Sequence, residues 1–263
     1  MIAELHIETK LRDGCTHLKK VYATPPFKIA NVREDRNDPL LQLMLMSSSP
    51  GILDGDEYRI KVDVAAHCEL ELQTQSYQRI FTMHNSAMQY IHVQMGEGSS
   101  FCYLPHPSVP HEASNFKSHN RIFLSDDCSL LWGEVLTCGR KLNGEVFLFS
   151  KYHNLTEIYL AGKLIIKENL LMIPRQINVN TIGQLEGYTH QASLIWLNPN
   201  ADPKKLKEQL NQYLSAQDHL EYGITEAPKN GIIVRLLGQK GEQLHNCLKA
   251  MSLIIKSKIP AHA

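Results

Sequence analysis

Glu134 is a carboxylate set among apolar residues, in the run Trp132-Gly133-Glu134-Val135-Leu136. A charge in such company costs free energy unless something pairs with it. Either the side chain turns to water beside a turn carrying Arg140 and Glu145, or it is held in place for a function. A second acid, Asp56, closes the loop Ser47 to Asp56, SSSPGILDGD. Two carboxylates at the right separation are enough for glycoside hydrolysis, so Asp56 and Glu134 keep a carbohydrate-active or ligand-binding β protein open as an alternative. Sugar sites also use exposed aromatic rings, whereas both tryptophans lie inside apolar strands. Glu168, in Lys167-Glu168-Asn169-Leu170, reads as an exposed acid at a strand end. His106 and His111 stand five apart in a proline-interrupted segment that cannot be helical. They are weak metal-ligand candidates, since loop histidines are commonly just solvated.

Familiar catalytic patterns are missing. The chain has no G-x-x-x-x-G-K-[ST] loop, no G-x-S-x-G elbow, no H-E-x-x-H helix and no Rossmann glycine fingerprint. Gly96-Glu97-Gly98 precedes no helix and is a turn. Six cysteines are scattered without a C-x-x-C pair, which reads as reduced thiols. Thirteen histidines raise the question of a transition metal, because imidazole suits nickel, zinc and copper, without answering it. The 27 basic and 27 acidic side chains cancel, so no net field selects nucleic acid or an anionic membrane. Neither a signal peptide nor a membrane-spanning apolar run is recognisable, and the expected location is the cytoplasm.

Strand patterns dominate the elements that must position these residues. Ala3 to Leu11 alternates strictly, and similar runs follow at Leu18 to Tyr22, Tyr58 to Val64, Glu69 to Gln75, Tyr90 to Met95, Leu155 to Leu160, Lys163 to Lys167 and Gln191 to Leu197. Leu40 to Met46 is a buried strand. Leu130 to Thr137 and Glu145 to Phe149, joined through Gly139-Arg140 and Asn143-Gly144, read as a β-hairpin. Such spacing describes a β body built as a sandwich, a barrel or a coiled ladder of strands. After Pro199 the pattern becomes helical: Asp202-Pro203 starts a helix that runs through Gln217. Gly223 to Lys229 reads as a linker, Ile232 to Leu237 as a strand and Glu242 to Lys258 as a second helix. The expected fold is mainly β with two C-terminal α-helices, α+β overall. A β-rich body over residues 1–198 carries a helix-strand-helix element over 199–263, together one structural domain.

Several of these stretches together resemble the UreD family of urease accessory proteins, called UreH in some bacteria. The resemblance covers nearly the whole chain: Pro26-Phe27, SPGILDGDEYRI, the Gln75 to Phe81 segment, Tyr103-Leu104-Pro105, WGEVLTCGRKLNGEVF and the closing helix. The ordered combination of PG-x-x-x-GD with E-x-x-x-x-GR-x-x-x-GE-x-F is specific, where either part alone would be weak.

The resemblance implies a non-enzymatic scaffold of nickel delivery. Such a protein binds the urease apoprotein and UreF and recruits the GTPase UreG through UreF, in an accessory complex that can pair as a dimer. Nucleotide chemistry then belongs to another subunit. The family is also thought to contain a water-filled tunnel, with nickel in transit rather than a tightly bound cofactor. A divalent ion in such a path needs water and fixed anions that do not hold it too firmly. By the family's pattern, Asp56, Glu134 and Glu168 are the tunnel acids, and Arg79 stands where lysine is usual. The chain departs from the pattern at Ile52, where the family has a second glycine after Gly51, and across Ser76-Tyr77-Gln78-Arg79-Ile80-Phe81.

Overall fold

The computed structural model describes residues 1–256. It opens with a hairpin of β1 (Ile2–Arg12) and β2 (Cys15–Ala23), turned at Asp13-Gly14, where both residues have positive φ. A second antiparallel pair, β3 (Phe27–Asn31) and β4 (Leu40–Ser47), follows.

From β4 onward the chain winds as a flattened coil. Strands β5 (Glu57–Val64), β8 (Ala87–Met95), β11 (Asn115–Leu124) and β13 (Lys151–Leu160) lie parallel in one sheet. Strands β4, β6 (Glu69–Thr74), β9 (Ser100–Leu104) and β12 (Ser129–Leu136) lie parallel in the other. Short strands β7 (Gln78–Ile80) and β10 (Ser108–Pro110) pair with each other at one edge of the coil. The coiled ladder is therefore the form that the β body takes.

The coil repeats because its corners repeat. Between β5 and β6, β8 and β9, and β11 and β12, the corner residue with positive φ is His67, Gly98 and Asp127 in turn. The corners stack through backbone bonds, His67 N–H donating to the Glu97 carbonyl and Gly98 N–H to that of Asp126.

β14 (Lys163–Met172) closes the seven-stranded first sheet, in the order β14-β13-β11-β8-β5-β1-β2. The second sheet extends beyond β12 through β15 (His190–Leu197) and β17 (Gly231–Gly238) to β16 (Glu221–Ala227). The segment expected as a linker is thus mostly the edge strand β16. Its apolar alternation is weak because it is an exposed edge. The expected hairpin is also corrected. Both edges of β12 are already paired, with β9 and with β15, so residues 145–149 have no place beside it. They belong instead to a loop holding a 3-10 turn at Lys141–Asn143, with Gly139 and Gly144 at positive φ and Arg140 ion-paired to Glu145.

Two helices cover the outer face of the second sheet. α1 (Pro203–Ser215) is capped by Asp202, whose carboxylate accepts from the Lys204 and Lys205 amides. α2 spans Gly241–Lys256, and its expected end at Lys258 lies outside the described residues. Leu206, Leu210 and Leu214 of α1 and Leu244, Leu248 and Met251 of α2 bury against Leu131, Val135, Leu194 and Leu236. The larger core lies between the sheets, with Ile7, Val62, Val93, Ile122 and Ile158 from the first facing Leu43, Leu72, Phe101 and Trp132 from the second. Among the described residues no helix is long and apolar enough to cross a membrane, and all six cysteines are free thiols.

Gly133 marks where α2 meets β12. A Cβ there would lie 2.4 Å from Leu104 Cδ2 and 3.1 Å from Leu248 Cδ1. Gly133→Ala is expected to destabilise the fold by about 1–3 kcal/mol through overpacking. Denaturant unfolding measures this, and an unchanged midpoint would show that the helix does not seat so closely.

Candidate functional site: a carboxylate in an internal cavity

The inter-sheet core is not apolar throughout. On β11 the inward positions read Phe116, Ser118, Asn120, Ile122, and on β13 Tyr152, Asn154, Thr156, Ile158. Four polar side chains thus stand in positions where strand alternation demands apolar ones, and from the opposite sheet Glu134 of β12 points at them. Asn120 Nδ2 donates to its Oε1 at 3.1 Å, Trp132 Nε1 at 2.9 Å and Thr156 Oγ1 at 3.4 Å, while Asn154 Nδ2 donates to Oε2. Ser118 Oγ steadies Asn120 by donating to its Oδ1 at 3.1 Å.

All of these groups but Thr156 line a cavity of about 120 Å³ between the sheets. A water needs roughly 10–15 Å³ of such space, so the cavity has room for several. Glu134 lies deep inside the protein yet presents surface to this space. The cavity runs outward past Tyr103, Tyr152, Gln78 and His106 to Ser47, Ser76 and Tyr77, which are exposed. Gly51 permits the tight wall near that opening: a Cβ on it would lie 2.3 Å from the Arg79 carbonyl oxygen.

Burial holds the Glu134 pKa above the ordinary carboxylate range, against the lowering effect of the bonds from Trp132, Asn154 and Thr156. Glu168 adds a like charge that pushes the same way. In the first sheet Asn120, Thr156 and Glu168 are register partners across β11, β13 and β14. In the second, Glu134, Ser193 and Arg235 are partners across β12, β15 and β17. Two polar rows therefore face each other from the cavity to the sheet edge. There Arg235 donates to both oxygens of Glu168, at 2.7 and 2.8 Å.

The other candidates, His106 apart, are placed elsewhere. Asp56 is buried, but its carboxylate holds a turn: Oδ2 accepts from the Leu53 amide at 2.9 Å, and Oδ1 lies 3.2 Å from the Met1 amino group. It is not part of the cavity lining, so the Asp56 and Glu134 pair that glycoside chemistry would use is not assembled there. The Arg79 side chain is exposed and makes no ion pair with the three acids among the described residues, while its carbonyl accepts from Ile52 at 2.8 Å. His106 lines the cavity, packing on Tyr77 and His245. His111 packs on Phe81 beside the Arg140 and Glu145 pair. The two histidines do not share a site.

Sequence reasoning missed the donors to Glu134 and the partner of Glu168. Asn120 escaped because β11 was not read as a strand. The available signal was the alternation of Phe116, Ser118, Asn120, Ile122 and Leu124, with polar residues on an otherwise apolar face.

Comparison with known proteins gives this geometry a family. The family model described as UreD urease accessory protein matches residues 1–262. The chain belongs to the UreD family of urease accessory proteins. The urease accessory protein UreD of Flavobacterium johnsoniae is 47% identical over 250 residues, covering 95% of this chain and 90% of that protein. That of Acetivibrio thermocellus is 35% identical over 254 residues, covering 96% and 97%. One from Haemophilus influenzae is 35% identical over 270 residues, covering 98% and 100%. For this UreD-family chain, the buried acid and its cavity are therefore features to be explained within urease maturation.

The raised pKa has a sign that can be tested. The folded chain holds the Glu134 proton to higher pH than the unfolded chain, so its contribution to stability is complete below the unfolded value. That contribution is lost as pH rises through the folded value. Glu134→Gln cannot ionise, so its stability relative to the parent is expected to rise from about pH 4 upward. Thermal unfolding of both proteins across pH 4 to 8 measures the slope, which cancels any constant cost of the amide's poorer hydrogen bonding. A parallel pair of curves would mean that Glu134 titrates as it does in water.

Proposed function

We propose that the chain is a non-catalytic cytoplasmic scaffold that helps to deliver nickel to apo-urease. It binds UreF directly, reaches the GTPase UreG through UreF, and docks on the urease apoprotein, in an accessory complex that can pair as a dimer. Nickel is cargo in this reading, not a resident cofactor. What supports it most is Glu134: a carboxylate on a cavity with room for several waters, whose donors do not fully offset its burial. Such a group attracts a passing cation, and a single carboxylate with water holds it loosely enough to release it.

Glu168 takes the next position along the polar rows, with Arg235 neutralising it while no cation is present. Asp56 and the Arg79 carbonyl then serve the path indirectly, by fixing the loop at the cavity's opening. The carbohydrate reading loses its carboxylate pair and has no observation in its favour.

The test is activation of apo-urease by nickel, bicarbonate and GTP with UreF and UreG, with and without this chain. Activity that depends on the chain is expected, together with co-purification of the chain and UreF. A chain that neither joins the complex nor alters activation would overturn the proposal. Within the same assay, Glu168→Gln is expected to slow activation while the complex still assembles. Unchanged activation would leave Glu168 as only a tie to Arg235 across the sheet edge.

A further inference from the structure

The cavity is crossed a second time, closer to its opening. Gln78 on β7 donates from Nε2 to Oε1 of Gln89 on β8 at 2.8 Å, and Ser108 on β10 donates from Oγ to Gln78 Oε1 at 3.1 Å. All three residues line the cavity. The strands that carry them belong to opposite walls. β8 is part of the first sheet, whereas β7 pairs with β10, whose Ser108 is the register partner of Leu136 on β12 of the second. Gln89 is the register partner of Ser118, two residues before Asn120 on β11, and Leu136 stands two residues after Glu134 on β12. Both steps lead away from the corner that joins β11 to β12, so this tie lies one inward position farther out than the bonds to Glu134. Ser76 and Tyr77, at the opening, directly precede Gln78 in the chain.

Of the side chains along this outward path, Gln78 is the one placed to move. Tyr103 and Tyr152 are buried, and their rings pack on Trp132 and Phe116 with centroids 4.7 and 5.8 Å apart. Gln78 is half-buried and stands on a strand of only three residues. Hydrogen bonds to an ionised group are roughly twice as strong as neutral ones, so an amide-to-amide tie yields before the set around a charged Glu134. Its release is cheap, because water can take up the bonds that the two amides give up. Ser108 restores the closed position by holding Gln78 aimed across the gap. We infer that Gln78 is a gate: its bond to Gln89 bars the way from the opening to Glu134, and its release admits water to the carboxylate. That nickel follows the water is the one part of this inference that rests on the delivery reading.

The indole proton of Trp132 reports on the inner side of the gate, because Nε1 donates to Glu134 Oε1 at 2.9 Å. The other tryptophan, Trp196, is an internal reference, with its Nε1 buried in the separate core beneath the helices. The experiment follows exchange of both indole protons for deuterium by NMR on the full chain. In Gln78→Ala the Trp132 proton is expected to exchange about 2- to 10-fold faster, the worth of one neutral hydrogen bond, while Trp196 keeps its rate. Ser108→Ala should act in the same direction by less, and it carries the test if Gln78→Ala does not fold. A Trp132 rate that stays the same, or that rises only in step with Trp196, would overturn the assignment. The measurement needs neither nickel nor a partner, so its failure leaves the delivery proposal standing, and the converse also holds.

Discussion

A carboxylate between two β-sheets is the constraint on which this structure depends. Removing such an ion from water costs several kcal/mol even after relaxation, and hydrogen bonds to a charged group return about 1.5–3 kcal/mol each. Glu134 gathers donors from Trp132, Asn120, Asn154 and Thr156, which brings the two sides close to balance. Its raised pKa shows that burial still prevails. The site is consequently organised around a carboxylate whose donors do not fully offset its burial, with space for several waters beside it.

The two sheets make this arrangement available. Parallel or antiparallel, paired strands place register partners side by side, so one polar residue on each of several strands becomes a continuous row. Asn120, Thr156 and Glu168 form one such row, and Glu134, Ser193 and Arg235 form its counterpart. The helices take no part in the row. They seal the second sheet's other face, where Leu131, Val135 and Leu194 meet α1 and α2, which lets β12 carry a charged residue inward without exposing its backbone.

Much of the fold was legible in the chain. Strict alternation in Ala3 to Leu11 and the helical stripe of Leu244, Leu248 and Met251 survive into the structure as β1 and α2. Asn143-Gly144 misled, because a turn signal says that the chain bends and not which strands it joins. β12 was already paired on both sides by partners distant in sequence. Glu134 could be picked out by its apolar neighbours, but its donors come from β11 and β13, and no local pattern links them to it.

The central claim is that the inward-facing acid acts on nickel and not on assembly. The direct measurement is the nickel content of urease matured in the presence of a Glu134→Gln chain that still co-purifies with UreF. The account predicts an intact complex and nickel-poor urease. A full complement of nickel from that same complex would contradict it, leaving Glu134 a structural residue of the core.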